Sequence, residues 1–437
     1  MNMYSCIQKR FFFLLLVQLG FGQTNKEIKK LEELIISAKE QNISIKNQTL
    51  QTDLAALTKK TAKGNILNPR IPSTAQVINN FNQQVSFLPG PIFGQPEGTF
   101  KAVTMGQQYV STFSIQPQID VVNPGTIALL KSATLNEELI KEQNKWNEQT
   151  VYNQINNLYF NILLLKKQQQ ILEENKKTAE QIVTINQNKF KEGLLRKQEL
   201  NEAESNLIAI DDKLIQLELT LKIQMETLQT YYNQKEVFLL KEDLDHYAKE
   251  ISLLESKNNI KTKISELQYE STVQDVKVAQ WSQLPILTLI SSFNWQNQSN
   301  ITYFDPNSNW VNYNYIGLKL SWDFPTTVQK ISTIYAKKIQ AEQLKNNAEQ
   351  AAKENDLMNK QWVLEYEKAI QQFRSLEKIY LLKKDTFEKN KNQYDEQILP
   401  LDKLLISHND LINSELNLAS ALATIGYTKY RIIIYNN

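Results

Sequence analysis

The chain has 437 residues, 49 Lys and Arg against 47 Asp and Glu, and a single cysteine. This balance supplies no bulk attraction to nucleic acid, and one cysteine excludes a disulfide framework or a Cys-based zinc site. Eleven glycines and eleven prolines are few for the length. A background of Lys, Glu, Gln, Asn, Leu and Ile favours long helices over a globular α/β fold.

Residues 1–22 read as a secretory signal. Lys9 and Arg10 precede an apolar run from Phe11 to Leu19, and Gly20-Phe21-Gly22 supplies a small-x-small site, so cleavage is expected before Gln23. The run is too short for a stable membrane span. Cys6 precedes it and is no lipid-attachment cysteine, so the mature chain is expected to carry no thiol. Removal of two basic residues leaves 47 of each sign (49 − 2 = 47).

The pattern from Lys26 to Ala62 is helical, ending at Gly64 and Pro69. Residues 70–123 change to short alternating segments rich in proline and glycine. A weak strand is expected over 73–82 and a better one over about 109–122. In the latter, Tyr109, Phe113, Ile115, Ile119 and Val121 share one face and Thr112, Ser114, Gln118 and Asp120 the other. Pro117 favours an edge or bulge there, and Pro89-Gly90-Pro91 and Gly94-Gln95-Pro96 mark a long loop between the two strands.

Pro124 opens a helix expected to run to Phe190, in which Val151, Ile155, Leu158, Ile162 and Leu165 space at 4, 3, 4, 3, a coiled-coil seam. Gly193 turns the chain. Leu207, Ile210, Leu214, Leu217 and Leu221 then continue a seam to Tyr232, and another helix is expected over 244–281. Strands follow over 286–296 and 313–324. In the first, Leu287, Leu289, Phe293 and Trp295 alternate with Thr288, Ser292, Asn294 and Gln296; in the second, Ile316, Leu318 and Leu320 alternate with Gly317, Lys319 and Ser321. Pro325 starts the next long helix, with Trp362, Tyr366, Ala369, Phe373 and Leu376 as its seam, and a final helix follows a turn near Ile398.

The turn Phe190-Lys-Glu-Gly-Leu-Leu recurs as Tyr394-Asp-Glu-Gln-Ile-Leu at an offset of 204 (394 − 190), which marks an internal duplication. The halves are read as residues 23–240, with a hairpin over 125–232, and residues 241–437, with a hairpin over 326–437. The expected fold is mainly α: a long helical barrel or bundle with four strands per chain at one end. Four strands cannot close a barrel, for which about eight are the practical minimum. One apolar and one wet face suit a membrane barrel with an aqueous lumen. Trp295, Trp310, Tyr313, Tyr315 and Trp322 are then candidate aromatics at the membrane interface with outer-membrane lipid.

The order helix, strand, strand, long helix, tip, helix, twice over, resembles the TolC-like outer-membrane efflux protein family. The resemblance rests on the two tip motifs, on Tyr315-Ile-Gly-Leu-Lys-Leu-Ser-Trp-Asp-Phe-Pro325 and on the passage ending Gln283-Leu-Pro285. It implies a homotrimer whose twelve strands close one outer-membrane barrel, a helical tunnel in the periplasm of a Gram-negative-type cell, and export in partnership with a periplasmic adaptor and an inner-membrane pump. It further implies that the tips dock the adaptor, through Glu192, Gly193, Leu194, Leu195 and Arg196 and through Gln397, Ile398, Leu399 and Pro400. Gln397 stands where the family usually has glycine, which puts that turn's geometry in question. The resemblance also implies a periplasmic entrance past the tips, at Glu199, Asp402, Lys403 and Ile406; Lys403 and Ile406 occupy positions that are acidic in better-known members.

Nothing points to catalysis, a cofactor or a metal. His246 and His408 are the only histidines and read as packed or solvated helix residues, and no glycine-rich phosphate loop follows a strand. Asn42-Ile-Ser and three similar triplets match the glycosylation pattern by chance. The competing reading is a periplasmic coiled-coil adaptor or scaffold without a barrel.

Overall fold

The computed structural model describes residues 26–28, 30–232, 238–240, 242–249 and 252–436. The expected signal segment lies outside them.

The chain begins with β1 (Lys26–Ile28), α1 (Leu31–Gln41) and α2 (Ile43–Gly64), then β2 (Ser73–Asn79), β3 (Gln84–Pro89), β4 (Phe100–Met105), β5 (Tyr109–Ile115) and β6 (Gln118–Val122). The long α3 (Pro124–Lys191) and α4 (Lys197–Gln229) form the first hairpin. A short β7 (Phe238–Leu240), α5 (His246–Lys249) and α6 (Ile260–Trp281) lead to β8 (Ile286–Ser299) and β9 (Trp310–Ser321). The second hairpin is α7 (Val328–Asp395) and α8 (Leu401–Asn436). α3 and α7 have 68 residues each.

Two compact units interleave along the chain: Met1–Leu50, Glu142–Thr262 and Ala351–Asn437 make one, and Gln51–Lys141 and Lys263–Gln350 the other. The first is helical. Its core gathers Ile155, Tyr159, Phe160 and Ile162 of α3 with Leu228 of α4, Tyr366 and Ala369 of α7, and Ile425 and Ile432 of α8. Ile155, Ile162, Tyr366 and Ala369 are positions of the 4-3 seams, so the periodicity visible in the sequence marks the packing stripe, which Tyr159 and Phe160 widen. Gly426 lets α8 approach Phe160 closely: a Cβ there would lie 2.0 Å from the ring. The carboxylate of Glu242 accepts hydrogen bonds from both Tyr159 and Tyr247, which fastens the segment before α5 to α3.

Three helical expectations change. Asn42 divides the helix expected over 26–62: its backbone is extended, and its Oδ1 accepts the Ser44 and Ile45 amide protons at 2.9 and 3.2 Å, restarting the helix as an N-cap. Its Nδ2 donates to the Tyr231 carbonyl at 2.9 Å, and the side chain is buried. β1 pairs in parallel with β7, where helix and linker were expected. The helix expected from Leu244 starts at Ile260, capped by Asn258 at 2.9 Å, after a stretch over 252–259 without regular secondary structure.

The second unit holds the sheet. β5 and β6 are two parts of one strand interrupted at Gln116-Pro117, both antiparallel to β8, with a bulge between Asp120 and Val122. The order is therefore β2, then β5 with β6, then β8, then β9. β3 and β4 form a separate hairpin in the stretch expected to be loop. Among the described residues no helix is long and apolar enough to cross a membrane.

Candidate functional site

Two regions carry the candidate functional residues. The first is the pair of turns at the hairpin tips. In the first turn the amides of Glu192, Gly193 and Leu194 donate to the carbonyls of Asn188, Phe190 and Lys189 at 3.1, 3.0 and 2.9 Å. In the second, Glu396, Gln397 and Ile398 donate to Asn392, Tyr394 and Gln393 at 3.1, 3.1 and 2.8 Å. Both are Schellman caps, which satisfy the last helical carbonyls and require a left-handed residue. Gly193 supplies it at φ +76° and Gln397 at φ +63°. The glutamine therefore leaves the turn's geometry unchanged.

Matching positions then point the same way. Leu194 and Ile398 stand out, 65% and 69% exposed, while Leu195 and Leu399 are half-buried. Behind them Tyr394, Leu401, Leu404 and Leu405 pack with Ile182, Val183 and Ala203. The Tyr394 hydroxyl donates to Asn186 Oδ1 at 2.5 Å, and Lys189 Nζ lies 4.1 Å from the Tyr394 ring. The hydroxyl, largely desolvated there, is harder to ionise than ordinary tyrosine.

The residues read as an entrance differ in role. Glu199 caps the start of α4: its Oε2 accepts the Arg196 amide proton at 3.0 Å. Lys403 stands at the equivalent position (199 + 204 = 403) after Pro400, which has no amide proton to offer, so no acceptor is required. Asp402, Lys403 and Ile406 are exposed.

Below this tip cluster His408 is fully buried, stacked on Phe387 at 5.0 Å, with Nε2 3.2 Å from Asn175 Oδ1. Asn175 Nδ2 donates to Glu415 Oε2 at 2.8 Å. Burial pushes the imidazole down to about 4, with Lys391 adding to the effect, and pushes the Glu415 carboxyl above its usual range. Among the described residues no group of His, Cys, Asp or Glu could hold a metal ion.

The second region is the sheet. Paired residues in neighbouring antiparallel strands share a face, so the register sorts the side chains. One face carries Phe113 opposite Trp295, Ile119 opposite Leu289, and Leu287 and Leu289 opposite Leu320 and Leu318. The other carries Thr74 opposite Ser114, Ser114 opposite Asn294, and Asp120 opposite Thr288. Exposure is the reverse of a soluble sheet. Phe113, Phe293, Ile316, Leu318 and Leu320 are exposed, whereas Ser114, Asp120, Thr288, Ser292 and Asn294 are buried.

The polar face is internally bonded. Asp120 accepts from Arg70 at 3.0 Å and from Thr288 at 3.1 Å, and the Thr74 and Ser114 hydroxyls lie 2.7 Å apart. Leaving five large apolar side chains in water forgoes about 1.5–3 kcal/mol each. That sum is comparable to the whole stability of a domain, on the order of 10 kcal/mol. A lipid environment removes the conflict.

The aromatic residues divide. Trp295 and Trp310 lie on the apolar face, and Trp322, which follows β9, stacks on Phe324 at 4.1 Å. Tyr313 and Tyr315 pair with Asn294 and Ser292 and share the polar face. The five candidate interface aromatics therefore do not share one face, which their nearness in sequence does not show. β9 has 12 residues, so it is roughly 36 Å long, and a strand of that length tilted by ~40° would cross about 28 Å of membrane. The hydrocarbon core is about 30 Å thick.

The sequence profile of the outer membrane efflux protein family matches residues 36–234. No curated protein sequence matches the chain. Among solved structures, CusC, described in connection with transmembrane channel formation, is similar over 93% of this chain and 92% of its own, with TM-score 0.76 and 12% identity. The outer membrane protein VceC from Vibrio cholerae covers 93% and 95%, with TM-score 0.68 and 15% identity. The Campylobacter jejuni CmeC outer membrane channel covers 93% and 85%, with TM-score 0.69 and 16% identity. The profile match over residues 36–234 and the shared fold agree: this part of the chain is similar to the outer membrane efflux protein family, and the chain as a whole has the fold of outer-membrane channels such as CusC and CmeC.

Proposed function

We propose that three copies of the chain close one twelve-stranded barrel and serve as the outer-membrane component of a tripartite efflux or type I secretion system. The observation that carries this is the inverted sheet with two unpaired edges. β2 pairs only with β5 and β9 only with β8 among the described strands, and an open edge in lipid leaves backbone groups that nothing else can satisfy. β2 and β9 run in opposite directions, because each step across the sheet is antiparallel. The β9 edge of one copy can therefore pair with the β2 edge of the next, for any number of copies. Three copies bring twelve strands, above the practical minimum of about eight for a barrel.

In this reading the helical hairpins lie in the periplasm and the duct does no chemistry. The tips receive a periplasmic adaptor, which joins the duct to an inner-membrane pump. Leu194 and Ile398 favour that role: two matched, exposed apolar side chains at helix ends suit insertion between helices of a partner. Trp295, Trp310 and Trp322 would sit against lipid headgroups, and the polar face would line the lumen.

Membrane fractionation with planar-bilayer recording tests the reading. Expected is a protein that resists carbonate extraction and gives discrete ion conductance as an oligomer. Release by carbonate without conductance would leave the coiled-coil scaffold as the better account.

A further inference from the structure

The hairpin β3–β4 belongs to no layer of the sheet. Its register puts Val85, Phe87 and Pro89 on one face with Thr104, Ala102 and Phe100. That face is bare: Val85 is 49% exposed, Phe87 69% and Phe100 66%. Across residues 80–108 the only charged side chains are Glu97 and Lys101. An apolar, nearly uncharged face of this kind calls for a cover.

The register also locates the hairpin. Asn79 pairs with Tyr109, Tyr109 with Ser299, and Asn297 with Trp310. The end of β2 from which the hairpin leaves is thus the end of the sheet that carries the β8–β9 loop. That loop is held in shape: Asn297 Nδ2 donates to the carbonyls of Asp305 and Ser308 at 3.2 and 2.9 Å, and Ser299 donates to Asp305 Oδ2 at 2.5 Å. It presents Phe304, 60% exposed, whose amide donates to Ser111 Oγ at 3.2 Å and whose ring lies 6.4 Å from that of Trp310, 47% exposed at the start of β9. The bare hairpin grows from one sheet edge and the bare loop flanks the other. Within one chain the two meet at the base of the hairpin, where Asn300 Oδ1 accepts from the Gln108 amide at 2.9 Å and from Gln83 Nε2 at 3.4 Å, and the faces of Val85, Phe87 and Phe100 stay bare.

We infer that the apolar face of β3–β4 is a clasp for a second copy of this chain, packing Phe87 and Phe100 on Phe304 and Trp310 of the neighbour. This rests on the closed multi-chain barrel proposed above, whose seam sets the β2 edge of one copy beside the β9 edge of the next. The clasp continues that seam beyond the strands. It covers with apolar contact the stretch where the backbone ladder has ended, and the scarcity of charge on the hairpin fits a dry contact between copies.

Photoreactive p-benzoylphenylalanine, placed at Phe87 in the full chain in outer membranes, tests the clasp. A second variant carries it at Gln76 on the β2 edge. Expected on irradiation are adducts between copies from both, with the Phe87 adduct mapped by mass spectrometry to residues 300–310. In the Phe87 variant, Trp310→Ser together with Phe304→Ser is expected to abolish that adduct while the Gln76 variant still crosslinks. If Gln76 captures β9 of a neighbour but Phe87 captures lipid, its own chain or another protein, the clasp is wrong and the barrel stands. If Gln76 captures no neighbour, the barrel reading fails and the clasp with it.

Discussion

Gly193 and Gln397, 204 positions apart, hold the same left-handed backbone at the tips of the two hairpins, with φ +76° and +63°. Each closes its turn with the same three amide-to-carbonyl bonds. The cap chooses the conformation, and the residue type only changes its cost. A side chain in this region is strained by roughly 1–2 kcal/mol, partly offset by the extra chain entropy glycine loses on folding, about 0.5–1 kcal/mol. Gln397→Gly is therefore expected to raise stability by about 0.5–1 kcal/mol. Thermal melts of purified oligomer would detect it, and a lower midpoint would contradict the shared-cap account.

Charge at the exposed tip positions is expected to separate docking from assembly. Leu194→Glu combined with Ile398→Glu replaces two apolar side chains that are 65% and 69% exposed and outside the core clusters, so the folded oligomer should persist. Export in cells should fall to background. Normal export by this double variant would count against tip docking.

The two faces of the sheet should respond oppositely to the same charge. Leu318→Arg puts a cation on the apolar face, at an expected cost of about 2–4 kcal/mol near the membrane midplane. Gln296→Arg, on the polar face, should assemble normally and shift conductance toward anions. The amount of heat-modifiable oligomer in outer membranes reads the first effect, and reversal potentials read the second.

His408 should make the first helical unit acid-sensitive. Its ordinary value of 6.5 is pushed down to about 4 by burial, so the unfolded chain takes up the proton first. The stability supplied by the neutral ring is complete above about 6.5 and is lost as the pH falls from there toward 4. The shift corresponds to a loss on the order of 3 kcal/mol. His408→Phe, which preserves the stack on Phe387, should flatten this part of the stability profile. An unchanged slope in the variant would assign the acid sensitivity elsewhere.

Gly426 should tolerate no side chain. With Phe160 2.0 Å from the position of a Cβ, Gly426→Ala is expected to cost about 1–3 kcal/mol through overpacking. Adding Phe160→Leu should recover part of the loss, and the double-mutant cycle measures the coupling.

The sequence by itself determined what repeats over short distances. The 4-3 stripes of α3 and α7, the period-two alternation of β8 and β9, and the tips at an offset of 204 are local patterns, and hydrophobic periodicity alone orients them. From them the family resemblance, the hairpins and the two-faced strands were legible. Tertiary structure decided whatever depends on a distant partner. Asn42 breaks a helical pattern where its side chain caps the next helix and reaches the Tyr231 carbonyl, and His408 is buried because Asn175 and Phe387 meet it there. Tyr313 and Tyr315 fall on the polar face through pairing with β8, which an aromatic count cannot reveal. β3 and β4 were hidden by the proline and glycine that join them. Gln397 is the sharpest case: its own propensity argues against the left-handed turn, and the hydrogen bonds of the cap together with the packing of Leu399 and Tyr394 beneath it override that preference.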